Sequence, residues 1–240
     1  WYDQKCIEED PVVVAQEIDI DYDASVENSL VSAVDVDRAM RVDPDLVDDA
    51  GAPVIIGVDP ARFGNDRTSI ACRQGRLLHF VESFQNKSNV EVAGIVAKLI
   101  RDLPRRVRAV NIDEGGLGAG VVDILNEEFD YIYGVQFGSK SGTLEAYNKR
   151  SEIWLAMKEW FQDFTVSIPN RPELKTDLCS LQYKFNALGQ YVLEDKAAAK
   201  KRGVKSPDEA DAVALTFSRY VAIERHTTPE KTTRSSVTGY

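Results

Sequence analysis

From Pro53 onward the apolar positions fall into short runs with readable periods. Val54 to Val58 is an unbroken apolar stretch apart from Gly57, which reads as a buried strand, and it ends on Asp59. Thr68 to Arg73 and Arg76 to Phe84 read as two further strands joined at "QG", so a hairpin and an antiparallel order are expected for the first three strands. Behind Asn89, Val92, Ile95, Val96, Leu99 and Ile100 recur at the helical period, predicting a helix to Arg101. Arg108 to Asp113 is strand-like. "GGLGAG" then leads into a helix over Val121 to Phe129, and Ile132 to Phe137 reads as a short strand. Tyr147 to Phe164 carries a long amphipathic pattern, Val166 to Ile168 a short strand, Glu173 to Ser180 a helix, and Leu181 to Leu193 an extended hairpin about "ALGQ". The charged "EDKAAAKKRGVK" reads as a loop. "SPDEADAVALTFSRYVAI" predicts a closing helix, with Ser206 as cap and Pro207 at its first position. Strands in antiparallel order followed by alternating helix and strand predict an α/β fold with a mixed sheet.

Composition changes this picture in one place. The 240 residues are 43% hydrophobic and 9% aromatic, enough for one sizeable core with an appendage. The formal net charge of -10 argues at first against a nucleic-acid partner. Residues 1–50, however, hold 15 acids against three bases, a net -12, while the remainder holds 24 acids against 26 bases, a net +2. The acidity belongs to a Pro-, Asp- and Gly-containing lead segment, expected to be mostly loop with one or two short helices. The body that follows has a charge compatible with phosphate. Three divisions are expected: an acidic linker over 1–52, the α/β domain over 53–225, and a polar, disordered tail over 226–240.

Other classes recede for want of residues. No apolar run reaches the roughly 20 residues of a membrane span, and no signal-peptide pattern opens the chain, so a cytoplasmic setting and no membrane partner are expected. Cys6, Cys72 and Cys179 are scattered without a CxxC pair, so neither a zinc knuckle nor a disulfide framework is indicated. Two histidines supply a Ser-His-Asp triad poorly. "GGLGAG" lacks the Lys-Ser/Thr of a nucleotide P-loop and reads as a turn that lets a helix start close to the sheet.

Carboxylates remain. Asp59 and Asp113 end two strands; if those strands are neighbours, both acids stand on the rim where open α/β sheets form sites. Asp211 falls inside the closing helix before Ala212, Val213 and Leu215, a place that should already be buried. Three crowded carboxylates repel unless a cation neutralises them, and an oxygen-only donor set favours Mg²⁺ or Mn²⁺. Two such ions roughly 4 Å apart suit phosphodiester hydrolysis. A turn aspartate is the ordinary alternative for Asp59 and Asp113, and Asp208 and Glu209 suit a helix first turn without any chemistry.

The order "GVDPARFGNDRTSI", "VNIDEGGLGAGVVDIL", "YNKRSEIWLAMKEWF" and "LEDKAAAKKRGVKSPDEADAVALTF" resembles the nuclease domain of the large terminase subunit of tailed bacteriophages, an RNase H-like fold of the RuvC kind. The resemblance covers about residues 53–223. It implies a two-metal endonuclease that cuts viral double-stranded DNA during genome packaging, largely without regard to sequence. Asp59, Asp113 and Asp211 would be the catalytic, metal-binding acids, holding two Mg²⁺ or Mn²⁺ ions. Asp66 matches a place where some relatives keep an additional acid near the metals. Lys149, Arg150, Lys200, Lys201 and Lys205 would line the DNA; a solvated charged surface is the ordinary reading of the last three. The resemblance further implies an ATPase motor lobe, a portal ring and a small terminase subunit as partners, in the cytoplasm of an infected bacterium. The chain opens on Trp1 and carries no Walker A motif, as expected of a fragment without that lobe. Two competing readings are an inactive RNase H-like docking domain and an actin-like phosphotransferase, the latter requiring a second phosphate loop.

Overall fold

The computed structural model describes residues 29–61 and 66–222. Five strands form one mixed sheet: β1 (Val54–Asp59), β2 (Thr68–Gln74), β3 (Leu77–Phe84), β4 (Val107–Asp113) and β5 (Ile132–Val135), in the order β3-β2-β1-β4-β5. β1, β2 and β3 pair antiparallel, while β4 pairs parallel to both β1 and β5. This is the RNase H-like mixed sheet, and its first three strands run antiparallel as the hairpin signals predict. A parallel step needs a crossover, and two helices supply it: α2 (Asn89–Asp102) between β3 and β4, and α3 (Gly118–Asn126) between β4 and β5. α2 starts where Ser88 and Glu91 close a capping box, one residue earlier than the Asn cap expected from sequence.

One face of the sheet presents Ile56, Val58, Ile70, Val110 and Ile112 to Val92 and Val96 of α2 and Val121 and Leu125 of α3. The other is covered by α4 (Lys149–Phe161), α5 (Pro172–Leu178) and α7 (Asp208–Leu215), with α1 (Ala33–Ala39) packed on α4 and α5. α7 crosses close to the central strand because β1 carries glycine there. A Cβ on Gly57 would stand 2.0 Å from the carbonyl oxygen of Ala212, so any side chain would push α7 off the sheet. The small hairpin β6 (Tyr183–Phe185) and β7 (Tyr191–Leu193) and the short helix α6 (Lys196–Lys201) lie between α5 and α7 in sequence.

Several boundaries differ from the sequence reading. The segment "EDKAAAKKRGVK", read as loop, contains α6, because Asp195 accepts a hydrogen bond from the backbone N–H of Ala198 and caps a run of alanines and lysines with high helix propensity. The closing helix stops at Leu215 rather than Ile223: the Arg73 guanidinium donates to the Thr216 carbonyl and hydroxyl, each at 2.8 Å, and satisfies the helix end. Ser206 is not its cap. Pro207 occupies that position without a side-chain oxygen to offer, and Asp177 of α5 takes over, accepting from the Glu209 backbone N–H at 3.1 Å. Residues 166–168 form a single bridge, Ser167 to Leu77, in place of a full strand. The acidic lead contributes more to packing than its charge suggests, since Leu30, Val31, Val36 and Ala39 are buried in the core. Cys72 is buried and Cys179 packs against the core. The expected disordered tail and Cys6 lie outside the described residues.

Candidate active site

Register fixes the first two acids. Val58 pairs with Ile112 across the parallel β1–β4 ladder, so Asp59 and Asp113, the next residues, end the two central strands side by side. Both alternate onto the face that α7 covers, as Gly57 and Asn111 do: Gly57 abuts Ala212, and the Asn111 amide donates to the Leu215 carbonyl at 3.0 Å. Just past Asp113 the chain turns sharply. A Cβ on Gly118 would stand 1.7 Å from the Asp113 carbonyl oxygen, which explains the glycines that follow the acid. The Gly115 N–H donates to the Asp113 carboxylate at 3.0 Å.

Asp211 sits in α7 one turn before Leu215, at the end of the helix nearer Asp59, and is 0% exposed. Its carboxylate is held by donors on both oxygens: Arg150 Nε to Oδ1 at 3.1 Å, Arg150 Nη2 to Oδ2 at 2.8 Å, and Trp154 Nε1 to Oδ1 at 2.8 Å. Both donors come from α4, which Asn148 caps through the Ser151 N–H. The three acids share one electrostatic environment. Burial, followed by the charge of Asp211, holds the Asp59 carboxyl well above the usual range; Asp113 and Asp208 push the same way and Lys196 pulls it down. Burial also raises Asp113, against the Gly115 N–H and Lys196, with Asp211 adding to the rise. Partial desolvation pushes the Lys196 ammonium down, but Asp59 and Asp211 more than reverse this and leave it raised. Lys196, at the first position of α6, stays open to solvent while facing the acids.

The remaining sequence candidates divide. Asp66 is exposed and near enough to Asp208 to raise that carboxyl, although burial of Asp208 is the larger cause. Arg150 is buried and turned inward onto Asp211 rather than toward solvent. Lys149 is half-buried and pairs with Glu152 at 2.5 Å. Lys200 and Lys201 at the end of α6 and Lys205 in the segment leading to α7 are exposed. Three neighbours of the acids were not legible as such in the sequence: Lys196, lost in a run of lysines; Trp154, one apolar position within the amphipathic pattern of α4; and Asp177, whose carboxyl is pushed up to about 7 by burial and by Glu209 and Asp208. Glu209 accepts from Arg171 and Ser83 on one oxygen, and its other oxygen has no partner among the described residues.

Two adjacent carboxylates, Asp59 buried and Asp113 half-buried, both raised mainly by burial and further by neighbouring acids, form an oxygen-only donor set that fits a hard divalent cation. No group of three potential ligands among the described residues is drawn together tightly enough to grip an ion in this arrangement. Asp211 is instead paired with Arg150.

The family model described as the terminase RNaseH-like domain matches residues 56–219. The fold is similar to the nuclease domain of the large terminase subunit gp2 of bacterial virus Sf6, with TM-score 0.66 and 21% identity over 81% of this chain and all of that one. A K428A mutant of that domain with manganese and beta-thujaplicinol matches with TM-score 0.65, at 21% identity over 81% of this chain and 100% of the other. The large terminase nuclease from thermophilic phage G20c with bound magnesium matches with TM-score 0.59 at 16% identity, covering 81% of this chain and 99% of that one. No curated protein matches the chain. The family model spans more than half of the sequence and includes all three strand-end and helix acids, so the chain belongs to the terminase RNaseH-like domain family.

Proposed function

We propose that this chain is a divalent-metal-dependent endonuclease that cuts double-stranded viral DNA during genome packaging, by two-metal phosphodiester hydrolysis and largely without sequence preference. The observation that carries the reading is the side-by-side placement of Asp59 and Asp113 at the ends of the two central strands, with Asp211 of α7 electrostatically coupled to both. The solved relatives with manganese and magnesium support the choice of ion.

In this reading Asp59 and Asp113 hold the ions at the rim, and Asp211 closes the set from the helix. When bound, Mg²⁺ or Mn²⁺ would lower the pKa of a coordinated water and neutralise the leaving oxygen. The chain's own residues do the rest. Lys196 places a cation beside the carboxylates, where a scissile phosphate adds negative charge. Lys200, Lys201 and Lys205, exposed on the approach to α7, meet the phosphate backbone on either side of the cut. Contacts of that kind position the duplex without reading its bases. Asp66 contributes a further acid at the site's edge.

In the same reading residues 53–225 are the nuclease domain, 1–52 would join it to an ATPase motor lobe and 226–240 would be a tail. α1 docks the end of that connection on the nuclease core. The portal ring and small terminase subunit complete the setting, in the cytoplasm of the infected host. No helix among the described residues is long and apolar enough to cross a membrane.

Incubation of supercoiled plasmid with the protein and Mn²⁺ or Mg²⁺ tests the reading. Metal-dependent nicking is expected, and Asp59→Ala, Asp113→Ala and Asp211→Ala should each abolish it. A wild-type protein that leaves the plasmid intact under both ions would favour an RNase H-like docking domain without activity.

A further inference from the structure

An ionised carboxylate offers about four acceptor sites on its two oxygens. Asp211 has three filled: Arg150 Nε and Trp154 Nε1 on Oδ1, and Arg150 Nη2 on Oδ2. Arg150 is only 8% exposed and Asp211 fully buried, so water cannot exchange freely for the guanidinium. A residue proposed to ligate an ion therefore already has most of its acceptor sites taken, two by the protein's own cation and one by Trp154.

We propose that Arg150 is the resident counter-ion of Asp211 and competes with a divalent cation for it, so that Asp211 joins the ion-binding set only as the guanidinium fork opens. The inference rests on the nuclease reading for the identity of the ion, and on the fork itself for the mechanism. Two contacts hold the guanidinium independently of Asp211. Arg150 Nη1 already lies 3.4 Å from the Glu194 carbonyl, and the guanidinium carbon lies 5.7 Å from the Phe137 ring centroid, which offers its π face. Because Trp154 also grips Oδ1, the less encumbered Oδ2 is the oxygen through which an ion first reaches Asp211. The pair thus keeps a fully buried acid neutralised in the ion-free chain, where an uncompensated charge would be expensive, and holds that acid's affinity for ions low until Asp59 and Asp113 have recruited one. Arg150 is a positioning residue in this account. It acts on the reacting groups through Asp211.

Calorimetric Mn²⁺ titration of the whole chain separates competition from simple support of the fold. Arg150→Gln, which removes the charge and the fork, should bind Mn²⁺ about tenfold more tightly than wild type, in the range by which residues behind a metal ligand alter affinity. Adding Asp211→Asn to it should return the affinity to that of Asp211→Asn alone. A folded Arg150→Gln protein with unchanged or weaker affinity overturns the proposal. Should that variant not fold, the wild type carries the test: the ¹⁵N resonance of Arg150 Nε should move during a Mg²⁺ titration with the same midpoint as ion binding. Ion binding with that resonance unmoved overturns the Arg150 mechanism alone. Failure of the wild type to bind either ion overturns it together with the nuclease reading, and plasmid nicking is then absent as well.

Discussion

On the face under α2 and α3 the sheet contributes Ile56, Val58, Ile70, Val110 and Ile112, and the helices answer with valine and leucine. On the face under α7 it contributes Asp59, Asn111 and Asp113, and the covering helices answer with Arg150, Trp154, Glu209 and Asp211. Both faces are cut from the same strands by a period of two. The difference teaches that one side of this sheet is held by apolar packing, while the other carries buried charge, which costs stability unless each group is paired or awaits a ligand. Glu209 and Asn111 each keep a buried oxygen without a partner among the described residues, and both lie on the α7 side.

Mutation can separate the faces. The largest expected effect is on turnover: Asp59→Asn should lower metal-dependent nicking by more than about a thousandfold, or ~4 kcal/mol of transition-state stabilisation. The metal-free melting temperature should hold or rise, because the amide removes a buried like charge. A marked loss of stability in that variant would mean that Asp59 is a structural turn acid. On the opposite face Ile112→Ala should cost about 2–5 kcal/mol in urea unfolding and leave nicking per folded molecule near wild type. Loss of activity at full folding would show that the two faces are coupled.

A smaller effect is expected from pH. The Asp177 carboxyl is pushed up to about 7 from an ordinary 3.8, so the folded chain binds its proton more tightly than the unfolded chain does. The associated stability is fully present below about pH 4 and is lost as pH rises through 7. Asp59, Asp113 and Asp208 are shifted in the same direction and steepen the decline. Chemical denaturation of the ion-free protein should accordingly show stability falling from pH 5 to 8. Asp177→Asn should flatten the part of that slope nearest pH 7, by on the order of 2 kcal/mol after allowance for solvent. Saturating Mg²⁺ should oppose the slope, since ions bind the ionised acids. The smallest effect belongs to the exposed α2 pair Lys98 and Asp102, where Lys98→Ala should change stability by no more than about 0.5 kcal/mol and leave turnover unaltered.

Strand-forming residues carry their information locally, which is why β1 to β4 and the positions of Asp59 and Asp113 at strand ends are legible in the linear pattern of the chain. Asp211 is recognisable too, as a charge in front of an apolar run. What surrounds it is not, because Arg150 and Trp154 precede it by 61 and 57 residues and nothing in a linear pattern states that α4 packs on α7. The inward turn of Arg150 has the same origin: beside Lys149 at a helix start it looks like a surface cation, and only tertiary packing reveals its partner. α6 is hidden for a different reason, since lysines around three alanines mark a solvated loop and a short helix equally well. The end of α7 depends on Arg73 from a distant strand, and its cap on Asp177 from another helix. Long-range capping leaves no local signal.

The most direct test is Mn²⁺ binding measured by calorimetry on the wild type and on Asp59→Asn, Asp113→Asn and Asp211→Asn. Convergence of the three acids on one ion site predicts that each substitution weakens binding substantially while the protein remains folded. Wild-type affinity retained by any one of the three would contradict it.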